Sequence, residues 1–416
     1  MPNDPITIAP CVSSEIGPLR TVMVHRPDIE IARITPDNKE ALLFDDLLWL
    51  DRAQDEHDHF VGLMTDRGVE VLYFERLLAE TLENQTARLE LVDAVFTSEQ
   101  CGPRVAEQLT SALADEPVDR VVAVLMGGLL ERELEQWGID PLFADLVADR
   151  FHYVLRPLPN LLFMRDNAAW INGGISKNVL AMPARRRESL YVDAIYRFHP
   201  RFATAEFPVW FGAERGDEYP ASIEGGDVLV LSDKTVMIGI GERTAPASVE
   251  ILARRLFAES SVERVIVVHL RRERAVMHLD TVFTMVDRST FNLYPGLLDS
   301  VAVHTLRARE GGGITVEHDH DLESALLDSL GLESVEFVQT GGDAIGRLRE
   351  QWDDGNNTLA IEPGVVIAYA RNGETNRRLR EAGIEVLELD ASELCRGRGG
   401  SRCMTQPIVR EVARLN

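Results

Sequence analysis

Val228-Leu229-Val230-Leu231-Ser232-Asp233-Lys234-Thr235-Val236-Met237-Ile238-Gly239-Ile240 consists of two apolar runs of strand length broken by one short polar turn. The pattern predicts a hairpin of buried strands. Ala247 to Phe257 follows as a helix-like stretch, and Val265-Ile266-Val267-Val268 adds a third strand. The unit is strand, strand, helix, strand.

The same order recurs along the chain. Ala168-Ala169-Trp170-Ile171, the turn Asn172-Gly173-Gly174 and Val179-Leu180-Ala181-Met182 begin another copy. Thr281 to Val286 starts a third, with a less regular continuation. Thr358-Leu359-Ala360-Ile361, the turn Glu362-Pro363-Gly364 and Val365 to Tyr369 open a fourth, completed by a helix over 374–382 and a strand over 384–387. Leu19 to His25, a helix over 53–67 and Val69 to Phe74 make a fifth, partial copy, which a C-terminal strand over 404–409 would complete. Such repetition predicts an α/β fold with units packed radially about an axis and their ends converging there. The polar residues just before the first strands are Asp166, Glu224 with Asp227, His278 with Asp280, and Asn356, so these are expected to face one centre. From Leu77 to Asp149 the pattern changes to helical spacing with few strand signals. The expected division is a core of residues 1–76 and 150–416 with an inserted helical subdomain over 77–149.

With 416 residues, 45% apolar and 27% charged, the chain has the composition of an ordinary globular protein. A net charge of −25 argues against nucleic acid or an anionic membrane as partner and mildly favours approach of a cation. No apolar run reaches the ~18 residues of a membrane span. Met1-Pro2-Asn3-Asp4-Pro5 lacks the basic and apolar regions of a signal peptide. The four cysteines, Cys11, Cys101, Cys395 and Cys403, are scattered without a Cys-x-x-Cys pair, which fits a reducing cytoplasm rather than a disulfide or zinc scaffold.

Cys403 stands apart. It ends Arg396-Gly397-Arg398-Gly399-Gly400-Ser401-Arg402, and guanidinium groups favour the nucleophilic thiolate. A phosphate cradle is the competing reading, but the loop lacks the Lys-Ser/Thr ending of a P-loop. His278 and Asp280 lie two apart, so in a strand they share a face, and histidine is the usual acid/base partner of a nucleophile. Glu56-His57-Asp58-His59 and Glu317-His318-Asp319-His320-Asp321 compete as metal clusters, although solvated helix faces are the simpler expectation. Buried carboxylates such as Asp166 and Glu224 need a cation, and a planar guanidinium suits them. Arg185 and Arg243, which follow second strands, suit an anionic group such as an α-carboxylate.

These residues resemble the arginine deiminase family of the guanidino-group-modifying superfamily, essentially end to end. The likeness includes Ser13 to Arg20, Val24-His25-Arg26-Pro27, Leu42 to Asp46, Phe163-Met164-Arg165-Asp166, Glu224-Gly225-Gly226-Asp227, His278 to Phe283 and the Cys403 loop. Met164, where the family often has threonine, is a departure. The resemblance implies a five-fold pseudosymmetric α/β-propeller that hydrolyses L-arginine to L-citrulline and ammonia without cofactor or metal, through a covalent S-alkylthiouronium on Cys403. It implies His278 as acid/base, Asp166 and Asp280 on the guanidinium nitrogens, and Glu224 in support of His278. Asn160, Arg185 and Arg243 would take the substrate carboxylate, Phe163 and Asp227 would line the pocket, and Arg398 would lie in a mobile loop above it. A cytoplasmic homo-oligomer is expected. Agmatine deiminase and an amidinotransferase of the same superfamily are the alternative activities.

Overall fold

Every predicted hairpin becomes part of a sheet with the same strand order. In the computed structural model, which describes residues 8–140, 152–212, 220–298 and 301–413, the first strand of a unit pairs antiparallel with the second and the second pairs parallel with the third. Ala168–Ile171, Gly174–Lys177 and Val209–Phe211 form one sheet. Val228–Ser232, Thr235–Ile240 and Arg264–His269 form the next. Phe283–Met285, Thr290–Leu293 and Glu336–Gln339 form a third, and Leu359–Glu362, Val365–Tyr369 and Glu385–Leu389 a fourth. The two ends of the chain meet in the fifth, where Gln406–Arg410 runs antiparallel to Leu19–Val24 and Leu19–Val24 parallel to Glu70–Tyr73. Parallel neighbours need a crossover. Helices Glu188–Phe198, Pro246–Glu259, Leu322–Leu330, Gly373–Glu381 and Leu50–Thr65 supply the five.

Burial explains the continuous apolar runs. Every residue of Val365–Tyr369 is buried, as are all but the last of Val228–Ser232 and of Thr235–Ile240, because both faces of these strands are covered. Two expectations need correction. In the first unit the second strand is Gly174–Lys177, not 179–182. Asn172 adopts φ +51, a left-handed conformation that suits a two-residue turn, so Ile171 pairs directly with Gly174. A side chain at Gly174 would meet the Trp210 ring. The third unit looked irregular because a hairpin, Val303–Ala308 with Ile314–His318, interrupts it and joins the neighbouring sheet at Arg264–His269. Glu317 and His318 therefore end a strand, and only Asp321 caps the following helix.

The segment 56–59 is not uniformly solvated. Glu56 and His57 are buried on helix Leu50–Thr65. The Glu56 carboxylate accepts from the backbone N–H groups of Ser392, Glu393 and Leu394, tying the approach to the Cys403 loop onto the fifth unit.

Helices Phe74–Leu82, Gln85–Val95, Ser98–Cys101, Pro103–Asp115 and Val118–Gly127 occupy the predicted helical region. Their Leu82, Leu91, Leu109 and Leu125 share a core with Tyr191 and Ile195 of the first crossover helix. The Tyr191 hydroxyl donates to Leu125 O at 2.8 Å. The boundary at residues 149 and 150, like residues 1–5, lies outside the described residues. No helix among the described residues is long and apolar enough to cross a membrane.

Candidate active site

Each unit presents a short turn just before its first strand, and these turns are hydrogen-bonded in a ring. Gly226 N donates to Asp166 Oδ1 at 3.0 Å, and Leu279 N to Asp227 Oδ1 at 2.9 Å. Asn357 Nδ2 donates to Asp280 O at 3.1 Å, Cys403 N to Asn357 Oδ1 at 3.0 Å, and Arg165 N to Cys403 O at 3.0 Å, which closes the circle. Side chains far apart in sequence are thereby held at one centre. Close approach demands glycine here: a Cβ at Gly226 would lie 2.7 Å from His278 Nδ1.

Cys403 is buried within this ring. Its sulfur accepts from Asn357 Nδ2 at 3.1 Å and lies 3.7 Å from Asp280 Oδ2 and 3.9 Å from Oδ1. Burial pushes the thiol well above its ordinary value; Asp280, Asp166 and Asp354 push the same way, and Arg402 opposes them. The loop arginines therefore do not make the free thiol acidic. Arg396 pairs with Asp46, Arg398 donates to Trp352 O and stacks over its ring, and Arg402 pairs with Asp280. Arg402 favours the thiolate, but burial and the neighbouring carboxylates outweigh it.

His278 joins the centre from the third unit. Its Nε2 lies 2.7 Å from Glu224 Oε2, and its Nδ1 lies 3.8 Å from Asp166 Oδ1. Burial pulls the imidazole down, but Asp166, Glu224 and Asp227 outweigh it and raise the group to about 9. Glu224 is also buried. Arg243, 3.3 Å away, and His278 overcome that burial and hold the carboxyl at about 2. Asp166, Glu224 and His278 have ligand-type atoms within 4.8 Å of one another. Gly226, Arg185, Arg243 and Ala181 already satisfy these carboxylates, so the set fits a proton-transfer network better than a metal cage.

Asp166, Asn160, Phe163, Arg185, Arg243, His278, Arg398 and Cys403 all line one chamber. Arg185 is heavily committed: it pairs with Asp166 Oδ2 at 2.5 Å and Glu188 Oε2 at 2.9 Å, and donates to the carbonyls of Asn160 and Phe163. Arg243 is freer, since its buried Nε has no partner. Asp227 stands behind the wall rather than in it. Its carboxylate accepts from Thr244 Oγ1 at 2.6 Å and from Leu279 N, and burial raises it to about 7. Its placement is that of a support for the His278 turn. Asn357, Arg402 and Glu15 were missed by sequence reasoning. Asn357 had a signal, because it follows Asn356 at the position equivalent to the other units' acids.

The free volume left in the chamber is about 20 Å³, the room of a single water. Outside it lies a cleft of about 900 Å³ lined by Asp45, Asp46, Arg371 and Trp352. Arg398 lines both spaces. Its backbone is left-handed at φ +64, and the flanking Gly397 and Gly399 lie against the Phe163 ring, where a Cβ at Gly399 would come within 2.4 Å.

A buried thiol, an imidazole paired with a carboxylate, and further acids meet at one small chamber of an α/β fold. The chain belongs to the arginine deiminase family, whose sequence model matches residues 40–410. It is 44% identical over 404 residues to the arginine deiminase of Rhodococcus opacus, covering 96% of this chain and 97% of that one. It is 42% identical over 407 residues to that of Bacillus cereus, with 96% and 98% covered. Among solved structures, SxtG, an amidinotransferase of the saxitoxin biosynthetic pathway from Microseira wollei, shares the fold with TM-score 0.56 and 14% identity, over 98% of this chain and 99% of that one. AgrE in complex with L-arginine gives TM-score 0.54 at 15% identity, over 95% of this chain but 41% of that longer one.

Proposed function

We propose that this arginine deiminase hydrolyses L-arginine to L-citrulline and ammonia through a covalent intermediate on Cys403. The observation that carries the proposal is that Cys403, His278, Asp166 and Arg243 line one chamber, with Asp280 lying against the sulfur behind its wall. Arginine arrives as a cation. Asp166 and Asp280 grip the guanidinium by its nitrogens and set its carbon before the sulfur, which makes the attack an oriented one. The cation also reverses the local field: a thiol kept protonated among carboxylates releases its proton to solvent and becomes a thiolate once a positive charge sits beside it. Sulfur adds to the carbon, and a nitrogen takes the His278 proton and leaves as ammonia. His278, now neutral, accepts a proton from water as it attacks the thiouronium carbon; collapse then expels the sulfur, which takes the hydroxyl proton to restore the thiol as citrulline forms.

Arg243 with Asn160 is the better-placed anchor for the substrate carboxylate, and Arg185 chiefly fixes Asp166. Phe163 packs against the glycine loop. Since the chamber holds about one water, entry of arginine requires Arg398 to leave the ring of Trp352 and the loop to open. The five equivalent sheets and the closed hydrogen-bond ring support a five-fold α/β-propeller, with residues 77–149 as an inserted helical subdomain. Four free cysteines accord with a cytoplasmic home. Sedimentation would test the homo-oligomer.

The discriminating assay offers arginine and agmatine side by side, with and without an added amine acceptor. Stoichiometric citrulline and ammonia from arginine are expected, with agmatine poorer by about a hundredfold or more because it lacks the carboxylate that Arg243 receives. A preference for agmatine, or turnover only with an acceptor, refutes the reading. A pH prediction accompanies it. His278 must be protonated to release ammonia, so kcat/KM should fall as pH rises through about 9, and His278→Gln should lose that limb. The raised value also favours folding: the contribution is complete below the ordinary 6.5 and disappears as pH climbs through about 9. A thermal-stability series from pH 6 to 10 that runs flat contradicts this.

A further inference from the structure

Arg402 is the chain neighbour of the nucleophile, yet its guanidinium does not line the chamber. It turns into a buried set of charges. Nε and Nη2 donate to Glu15 Oε2 and Oε1 at 2.9 and 3.1 Å, Nη2 also donates to Val228 O at 2.8 Å, and Nη1 donates to Asp280 Oδ2 at 2.7 Å. Glu15 accepts in addition from Val230 N at 3.2 Å. Arg402 and Asp280 are each no more than 1% exposed, and Glu15 is 7% exposed. The carboxylate that lies against the sulfur thus has one oxygen tied to a cation, and that cation is tied on its other side to a second acid outside the chamber. A buried pair of this kind is strongly coupled, because removing one partner leaves the other charge uncompensated.

We infer that Glu15 and Arg402 are positioning residues for the reaction: Arg402 orients Asp280 so that Oδ1 is left for the substrate guanidinium, and Glu15 sets how much of Arg402's positive charge reaches Asp280 and the Cys403 sulfur. The inference rests on the reading of Cys403 as nucleophile. The charged groups that bear on the sulfur are Asp280, Asp166 and Asp354 against the thiolate and Arg402 for it. His278, Arg185, Arg243 and Arg398 line the chamber around it. Arg402 itself faces Glu15 and Asp280, with Arg165 and Arg410 as cationic neighbours. In such an arrangement the two residues act on the sulfur with opposite signs. Loss of Arg402's charge disfavours the thiolate; loss of Glu15's charge favours it.

The test is the pH dependence of iodoacetamide alkylation in the full-length free enzyme, followed on the Cys403 peptide by mass spectrometry. Arg402→Gln should raise the midpoint by about one unit or more, and Glu15→Gln should lower it. Arg402→Lys keeps the charge but not the fork, so its midpoint should stay near wild type while KM for arginine rises about tenfold. Structural damage alone would move both variants the same way, and a common direction, or no shift in either, overturns the relay. If Arg402→Gln does not fold, Glu15→Gln and Arg402→Lys still decide. A Glu15→Gln midpoint that is unchanged or raised, or a Lys variant with normal KM, defeats the proposal. Cys403→Ala separates the two claims. Retained turnover there defeats the nucleophile reading, whereas lost turnover together with absent shifts defeats only the relay.

Discussion

Cys403→Ala should lower citrulline formation by about 10⁴-fold or more, leaving a protein that still folds and still binds arginine. The size follows from the route. Without sulfur no thiouronium forms, and the remaining groups hold a guanidinium whose carbon resists direct attack by water. Binding survives because the acids that grip the cation, Asp166 and Asp280, keep their own partners in Gly226, Arg185 and Arg402. Folding survives because the change removes one small buried atom, and its hydrogen-bond partner Asn357 keeps Cys403 N and Asp280 O. Calorimetric titration with arginine and a citrulline assay on the same preparation check both halves. Citrulline formation within about tenfold of wild type would remove Cys403 from the mechanism.

His278→Ala should reduce kcat by about 10³- to 10⁴-fold, because one imidazole serves both halves of the reaction. In the proposed route it gives a proton to the departing ammonia and then takes one from water. A defect in both steps means that covalent adduct does not accumulate, so rapid-quench mass spectrometry of the variant should show free enzyme. The substitution also leaves Glu224 buried with only Arg243 and Ala181 N as hydrogen-bond partners among the described residues. A modest loss of thermal stability is therefore expected, and His278→Gln, which keeps a donor to Glu224, should recover stability but not turnover. A His278→Ala enzyme with near-normal kcat and a raised KM contradicts the acid/base role.

Much of the fold was legible because β-branched runs, polar turns and helical spacing are local signals. Val365–Tyr369 and Gly373–Glu381 appear almost where the pattern predicts. Local signals failed where long-range pairing intervened. The hairpin Val303–Ala308 and Ile314–His318 belongs to a neighbouring unit's sheet, so nothing within its own unit marks it. Glu56 looks solvated in sequence, but the loop it binds arrives more than three hundred residues later. The acids before each first strand were visible because they recur. Glu15 and Arg402 do not recur, and their partnership depends on a distance of 387 residues along the chain.

The strand-strand-helix-strand unit, its repetition, and Cys403, His278, Asp166, Glu224 and Asp280 as candidates for one centre could all be read from the sequence. Only the tertiary structure decided how charge is distributed among them. It paired Arg396 with Asp46, laid Arg398 over Trp352, committed Arg185 to Asp166 and Arg402 to Asp280, and bonded Asp227 to Leu279 N behind His278. The physical reason is that residue type and local periodicity encode which groups exist and which face they occupy. The protonation state of a buried thiol depends instead on every charge within a few ångströms, and here those charges come from four of the five units.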